Sequence, residues 1–214
     1  MIVYVESNFV LELALGRADA HSVRQLIEFS EGGTIELAIP TFSVVEPFLT
    51  LRKIDRDREQ LLSRLSETLR ESSRSELHRE GVQAVSGLVS QLGGMEKRER
   101  EALGATIRQV LAASRQLPIS QGTISLSQQL QQDLGLDPPD SMVFASVLED
   151  LGSSSGERRS VYVSQNFKDF GDPEVSRRLE ELGCSYESTF ANVVTRIQGE
   201  SMPPGGPPAS TRPA

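Results

Sequence analysis

At 214 residues, with 37% hydrophobic and 24% charged side chains and no tryptophan, the chain has room for one well-buried α/β core with some elaboration, and too few residues for two full-sized domains. A formal net charge of −8 argues against a protein that coats nucleic acid through a general basic surface, though not against an enzyme whose carboxylates gather round metal ions. No apolar run approaches the roughly 20 residues of a membrane-spanning helix, Met1-Ile-Val-Tyr-Val-Glu6 has no basic region ahead of its apolar stretch, and Cys184 is the only cysteine, so a cytoplasmic chain without membrane anchor, disulfide or cysteine zinc site is expected.

Ile2 to Val5 is short, apolar and β-branched or aromatic, and runs into the polar turn Glu6-Ser7-Asn8, as a buried strand does at its C-terminal end. Phe9 to Leu15 reads as a helix ending near Gly16, and His21 to Glu31 as a second, with Val23, Leu26 and Ile27 at helical spacing. Thr34 to Ile39 alternates like a strand and stops at Pro40, after which Thr41 opens a helix that carries Glu46 in its early turns. From Leu51 to about Leu117 the sequence is charge-rich and helix-prone, with Leu61, Leu62, Leu65 and Leu69 at helical intervals and breaks near Ser72-Ser73 and Gly93-Gly94. Gly122 to Leu134 adds a helix, and Gly135-Leu-Asp-Pro-Pro139 ends it just before Asp140 opens Met142 to Leu148. A Gly/Ser-rich loop, Gly152 to Gly156, leads to a strand at Val161-Tyr-Val163 with the polar cluster Ser164-Gln-Asn166 and Asp169 at its mouth. Cys184-Ser-Tyr186 reads as a short last strand and Thr189 to Gln198 as a last helix, while Gly199 to Ala214 is dense in Pro, Gly and Ser and is expected to be disordered.

Alternating strands and helices with apolar strands argue for a parallel sheet covered on both faces, whose ligands bind beyond the carboxyl ends of the strands. Glu6, Asn8, Ser164, Asn166 and Asp169 sit in such positions. The chain has no glycine-rich phosphate loop, no Gly-x-Ser-x-Gly elbow and no paired histidines at metal-ligand spacing. His21 and His78 read as helix residues without chemistry, and Cys184 as a small buried residue. What remains is four carboxylates at the ends of elements: Glu6, Glu46, Asp140 and Asp169. For any one of them alone, a turn or helix-cap role is the commoner reading, Glu6 being the least ambiguous. Converging without basic partners they would repel one another, which makes sense chiefly when a hard cation such as magnesium or manganese neutralises them. That chemistry suits hydrolysis of a phosphodiester.

Tyr4-Val-Glu-Ser-Asn8, Ile39-Pro-x-x-x-Val-Val-Glu46, Gly135-Leu-x-x-x-Asp140 and Val163-Ser-Gln-Asn-Phe-Lys-Asp-Phe170 fall in the order of the PIN-domain motifs, so the chain resembles that family over most of its length. The resemblance implies a PIN-like (Rossmann-like) three-layer α/β sandwich over residues 1–198, with a central parallel sheet and an enlarged helical section at about 51–117. It further implies Mg2+- or Mn2+-dependent endoribonuclease activity, with Glu6, Glu46, Asp140 and Asp169 as metal-binding and catalytic residues and Asn8, Ser164 and Asn166 supporting them. Such proteins are often toxins of toxin–antitoxin pairs, so an antitoxin partner and a homodimer with a shared groove come with the resemblance. Two features depart from the pattern: Glu6 stands where most members have Asp, and the helical section between Glu46 and Asp140 is longer than in compact toxin members.

Arg52, Lys53, Arg56 and Lys168 are candidates for contact with an RNA backbone, although Asp55 and Asp57 interleave with the first three as on a solvated, ion-paired helix face. None shows aromatic interleaving suited to base stacking. The competing reading is a PIN-like module without chemistry that binds protein or RNA partners through its middle helices. A Rossmann-like phosphatase is disfavoured, because no Asp-x-Asp follows the first strand.

Overall fold

The computed structural model describes residues 1–154 and 158–201, with the backbone alone at Asp169 and Ser201. In chain order the first elements are β1 (Ile2–Val5), α1 (Ser7–Ala14), α2 (Ala20–Glu31), β2 (Glu36–Pro40), α3 (Thr41–Ser72), a 3-10 turn (Glu76–His78), α4 (Arg79–Gly93) and α5 (Met95–Ala113). There follow β3 (Ser114–Leu117), α6 (Gln121–Leu134), α7 (Pro138–Ser153), β4 (Ser160–Val163), α8 (Phe167–Phe170), α9 (Pro173–Glu181), β5 (Cys184–Glu187) and α10 (Phe190–Ser201).

All five strands are parallel, in the order β3-β2-β1-β4-β5. The chain winds outward from β1 through β2 to β3, then returns to β1's other side for β4 and β5. The reversal between β1 and β4 is the switch point at which such sheets open a crevice. The period-2 alternation of the strands sorts their side chains onto two apolar faces. Val3, Val5, Leu37, Ile39, Val161 and Val163 pack with α1, α2, α5 and α10 on one face. Ile2, Tyr4, Ala38 and Tyr162 pack with α6, α7, α8 and α9 on the other. The architecture is therefore α/β, with helices on both faces of a parallel sheet. Among the described residues no helix is long and apolar enough to cross a membrane.

Four expectations are corrected. Ser114–Leu117, read as the end of a helix, is the edge strand β3, registered with β2 through Leu37↔Ser114 and Pro40↔Leu117. Its sequence Ser-Arg-Gln-Leu buries only Leu117, so pairing with β2, not apolar patterning, makes it a strand. The helices α8 and α9 had no counterpart in the sequence reading, although Asp172 caps α9, Pro173 occupies its first turn, and Val175 and Leu179 are buried one turn apart. The helix α7 runs to Ser153, into the expected Gly/Ser loop, of which Ser155 and Gly156 lie outside the described residues. The helix α10 runs to Ser201, three residues beyond the expected end at Gln198, and residues 202–214 of the expected tail lie outside the described residues.

The enlarged helical section is an arm. In α3, 32 residues and about 48 Å long, the buried side chains are Ser43, Pro47, Leu51 and Asp55, all in its first half. Beyond them Leu62, Leu65 and Leu69 are half-buried, as are Val82, Val85 and Val89 of α4, and α4 has no fully buried residue. At the base of the arm the buried Asp55 carboxylate is bound by Arg58 (3.1 Å) and by Arg100 of α5 (3.4 Å).

Candidate acidic site at the switch point

Because β1 and β4 are neighbours registered Val5↔Val163, the residues that follow them, Glu6 and Ser164, emerge side by side at the switch point. Glu6 is the N-cap of α1 and is only 5% exposed. Its Oε1 accepts hydrogen bonds from Asn8 Nδ2 (2.8 Å) and Ser164 Oγ (3.2 Å), and its Oε2 from the Asn8 backbone N–H (3.0 Å) and Ser7 Oγ (3.0 Å). A carboxylate offers about four acceptor positions, so those of Glu6 are used. Burial pushes its carboxyl up; the Asn8 and Ser7 hydrogen bonds oppose that rise, and the charge of Glu46 adds to it.

Glu46 stands half-buried in the second turn of α3. Burial raises its carboxyl as well, opposed by the Ser7 hydroxyl. Ser7 thus lies between two carboxyl groups with a single hydrogen to give. The Glu6–Ser7–Glu46 unit is one hydrogen short of satisfying both when both are ionised, and among the described residues no cation pairs with either. A proton or a bound cation would relieve it.

Asp140 is held from the other side of the sheet. Gly135 ends α6 in the left-handed conformation (φ 66°), which tolerates no Cβ cheaply, and Pro138 and Pro139 begin α7 where a missing N–H costs nothing. The buried Ser141 hydroxyl meets Ser127 of α6 at 2.8 Å, locking the two helices at the turn that presents Asp140. Asn166 then links Asp140 to the switch point: its Nδ2 donates to Asp140 Oδ1 (3.2 Å), its backbone N–H donates to Ser164 Oγ (3.0 Å), and Ser164 in turn donates to Glu6. Tyr162 Oη is buried, and burial together with the charges of Glu6 and Asp140 pushes its phenol far above the usual range, opposed by the Ser164 hydroxyl. Ser43 Oγ, one turn before Glu46 on α3, is buried and unsatisfied.

The structure therefore joins Glu6 to Glu46 through Ser7, and Glu6 to Asp140 through Ser164 and Asn166, with Asn8, Ser164 and Asn166 in supporting places. Asp169 lies on α8, held to the core by Phe170 against Tyr162 and Phe144, but its side chain is outside the described residues. Among the described residues no three His, Cys, Asp or Glu side chains are placed to share one ion. The fit to a hard cation is one of kind and charge: oxygen donors, an acidic pair without a basic partner among the described residues, and the orphaned buried hydroxyl of Ser43.

Arg52, Lys53, Arg56 and Lys168 are exposed and have no carboxylate partner among the described residues, whereas Asp55 pairs with Arg58 and Arg100. The sequence reading missed Ser7, Ser43 and Tyr162, and also Phe48 and Phe167, which stand exposed. A signal existed for the last two, since Phe48 precedes Arg52 by one helical turn and Phe167 precedes Lys168 directly. No family model and no curated protein matches the chain.

Proposed function

We propose that the chain is a PIN-like endoribonuclease dependent on Mg2+ or Mn2+, with Glu6, Glu46, Asp140 and Asp169 as its acidic residues. The observation that carries this reading is the Glu6–Glu46 pair, two carboxyls brought to one hydroxyl, that of Ser7, at the switch point, both pushed up by burial and Glu6 also by the charge of Glu46. A carboxylate cluster kept in that state costs stability unless it serves a positive ligand. When bound, the ion supplies Lewis acidity at the phosphate and offsets negative charge that develops there. The half-buried Glu46 and Asp140 would hold it directly. Glu6, whose acceptor positions are used by four donors, contributes its charge and fixes Ser7 and Ser164, while Asn166 orients Asp140.

One observation favours a second reading, a PIN-like scaffold without chemistry: the Glu6 carboxylate is already saturated by four donors. Cleavage of a mixed-sequence single-stranded RNA separates the two. The nuclease reading expects cutting with manganese, none with chelator, and a loss of about hundredfold or more in both Glu46→Gln and Asp140→Asn. Wild type that neither cuts nor binds manganese would leave the scaffold.

A further inference from the structure

Among the described residues the aromatic side chains that stand exposed are Phe48, at 50%, and Phe167, at 66%. Phe48 lies two residues past Glu46 on α3, and Phe167 follows Asn166, whose amide holds Asp140. Each ring has a cation beside it. Phe48 shares a groove of about 430 Å3 with Leu51, Arg52 and Arg100. Arg100 is engaged there by Asp55 and Glu96, whereas Arg52 has no carboxylate partner among the described residues. Lys168 is exposed next to Phe167.

An α-helix turns about 100° per residue, so Glu46 and Phe48 occupy opposite flanks of α3, with Val45 and Leu49 exposed on the outer face between them. A chain crossing that face spans a helix diameter of about 10 Å, or roughly three stacked nucleotides. Alternating apolar rings and cations on either side of an acidic, cation-seeking centre match a ligand that alternates flat π-faces with phosphates. An apolar peptide helix would leave the cations unused, and a duplex keeps its bases stacked on one another and away from both rings.

We propose that Phe48 with Arg52 and Phe167 with Lys168 are two stacking points of a single-stranded RNA track that crosses α3 and passes over the acidic site, each ring taking an unpaired base and each cation a neighbouring phosphate. The position of cleavage on this track rests on the nuclease reading; the track binds whether or not the site cuts. The test is equilibrium binding of a fluorescent single-stranded RNA of about ten nucleotides, with chelator present so that strand integrity is kept. Phe48→Ala and Phe167→Ala each weaken binding about tenfold, Phe48→Tyr preserves it, and the same RNA annealed to its complement is insensitive to all three. Arg52→Ala lowers the dependence of affinity on salt by about one counterion. The proposal is overturned if wild type does not bind the single strand, if both alanine variants bind it as wild type does, or if duplex binding falls equally. Self-association that Phe48→Ala abolishes, with RNA binding intact, would also overturn it by giving the face to a second copy of the chain. Ring-dependent binding without manganese-dependent cleavage would keep the track and remove the nuclease; cleavage indifferent to both rings would do the reverse.

Discussion

The two edges of the sheet treat their carboxylates in opposite ways. At the N-terminal edge Asp150 accepts from Tyr4 Oη (2.7 Å) and from both terminal nitrogens of Arg115 (2.7 and 2.9 Å), and Glu36 accepts from Arg115 Nε (2.6 Å) and Arg158 (2.8 Å). Burial alone would raise the Asp150 carboxyl, but the Arg115 and Tyr4 hydrogen bonds and the Arg115 charge outweigh it and hold the group below its ordinary value. At the C-terminal edge Glu6 and Glu46 meet hydroxyls, amides and each other, and both are raised. One helix shows the contrast: α7 carries Asp140 in its first turn at the acidic site and Asp150 ten residues later, about 15 Å along its axis, in the paired network. The N-terminal edge also lines a cavity of about 450 Å3, but its charges are already satisfied. Unsatisfied charge is the better guide to a site than volume is.

The comparison is broken first by removing one charge from each edge. Arg115→Ala strands Asp150 and Glu36 and lowers stability in urea unfolding by about 2 kcal/mol, a figure reduced from that of a buried pair because Arg115 is partly exposed. Glu46→Gln, measured with chelator, leaves stability unchanged or raises it by up to about 1 kcal/mol, since it removes half of a repelling pair. Losses of equal size at both edges would contradict the distinction.

A smaller effect comes from pH. The carboxyls of Glu6 and Glu46 are raised in the folded state, so their contribution is fully present below the unfolded value and is lost as pH rises through the folded one. That of Asp150 is lowered, so its contribution is present above the unfolded value and is lost as pH falls through the folded one. With chelator, wild type should therefore lose stability as pH rises above the ordinary carboxylate range, and Glu46→Gln should flatten that decline without altering the acid limb below about pH 4. A decline equally steep in the variant would remove Glu46 from the explanation.

The sequence announced β1, β2 and β4 through apolar runs that the parallel sheet buries on both faces, and the placement of Glu6, Ser164 and Asp140 at element ends followed from them. It did not announce β3, because Ser-Arg-Gln-Leu has the composition of a polar edge and becomes a strand only by lying against β2. Ser7 was visible merely as a turn residue; its position between two carboxyls depends on α1 and α3 meeting over the end of β1, a contact between residues 39 apart in sequence that no local pattern encodes. Tyr162 was read as part of an apolar strand, and the rise of its phenol appears only once Glu6 and Asp140 stand near it. The exposed face of α3 was legible only in the one-turn spacing of Phe48 and Arg52, because within a charge-rich helix Phe48 reads first as one more apolar position.

The central claim is that the acidic edge is completed by a divalent cation. Thermal unfolding of wild type, Glu46→Gln and Asp140→Asn across a manganese titration tests it most directly. At a free ion concentration about a hundred times the dissociation constant, wild type should gain about 2.7 kcal/mol, seen as a melting temperature that climbs with manganese, while both variants stay level. A wild-type melting temperature indifferent to manganese, or one that climbs equally in all three proteins, would contradict the account.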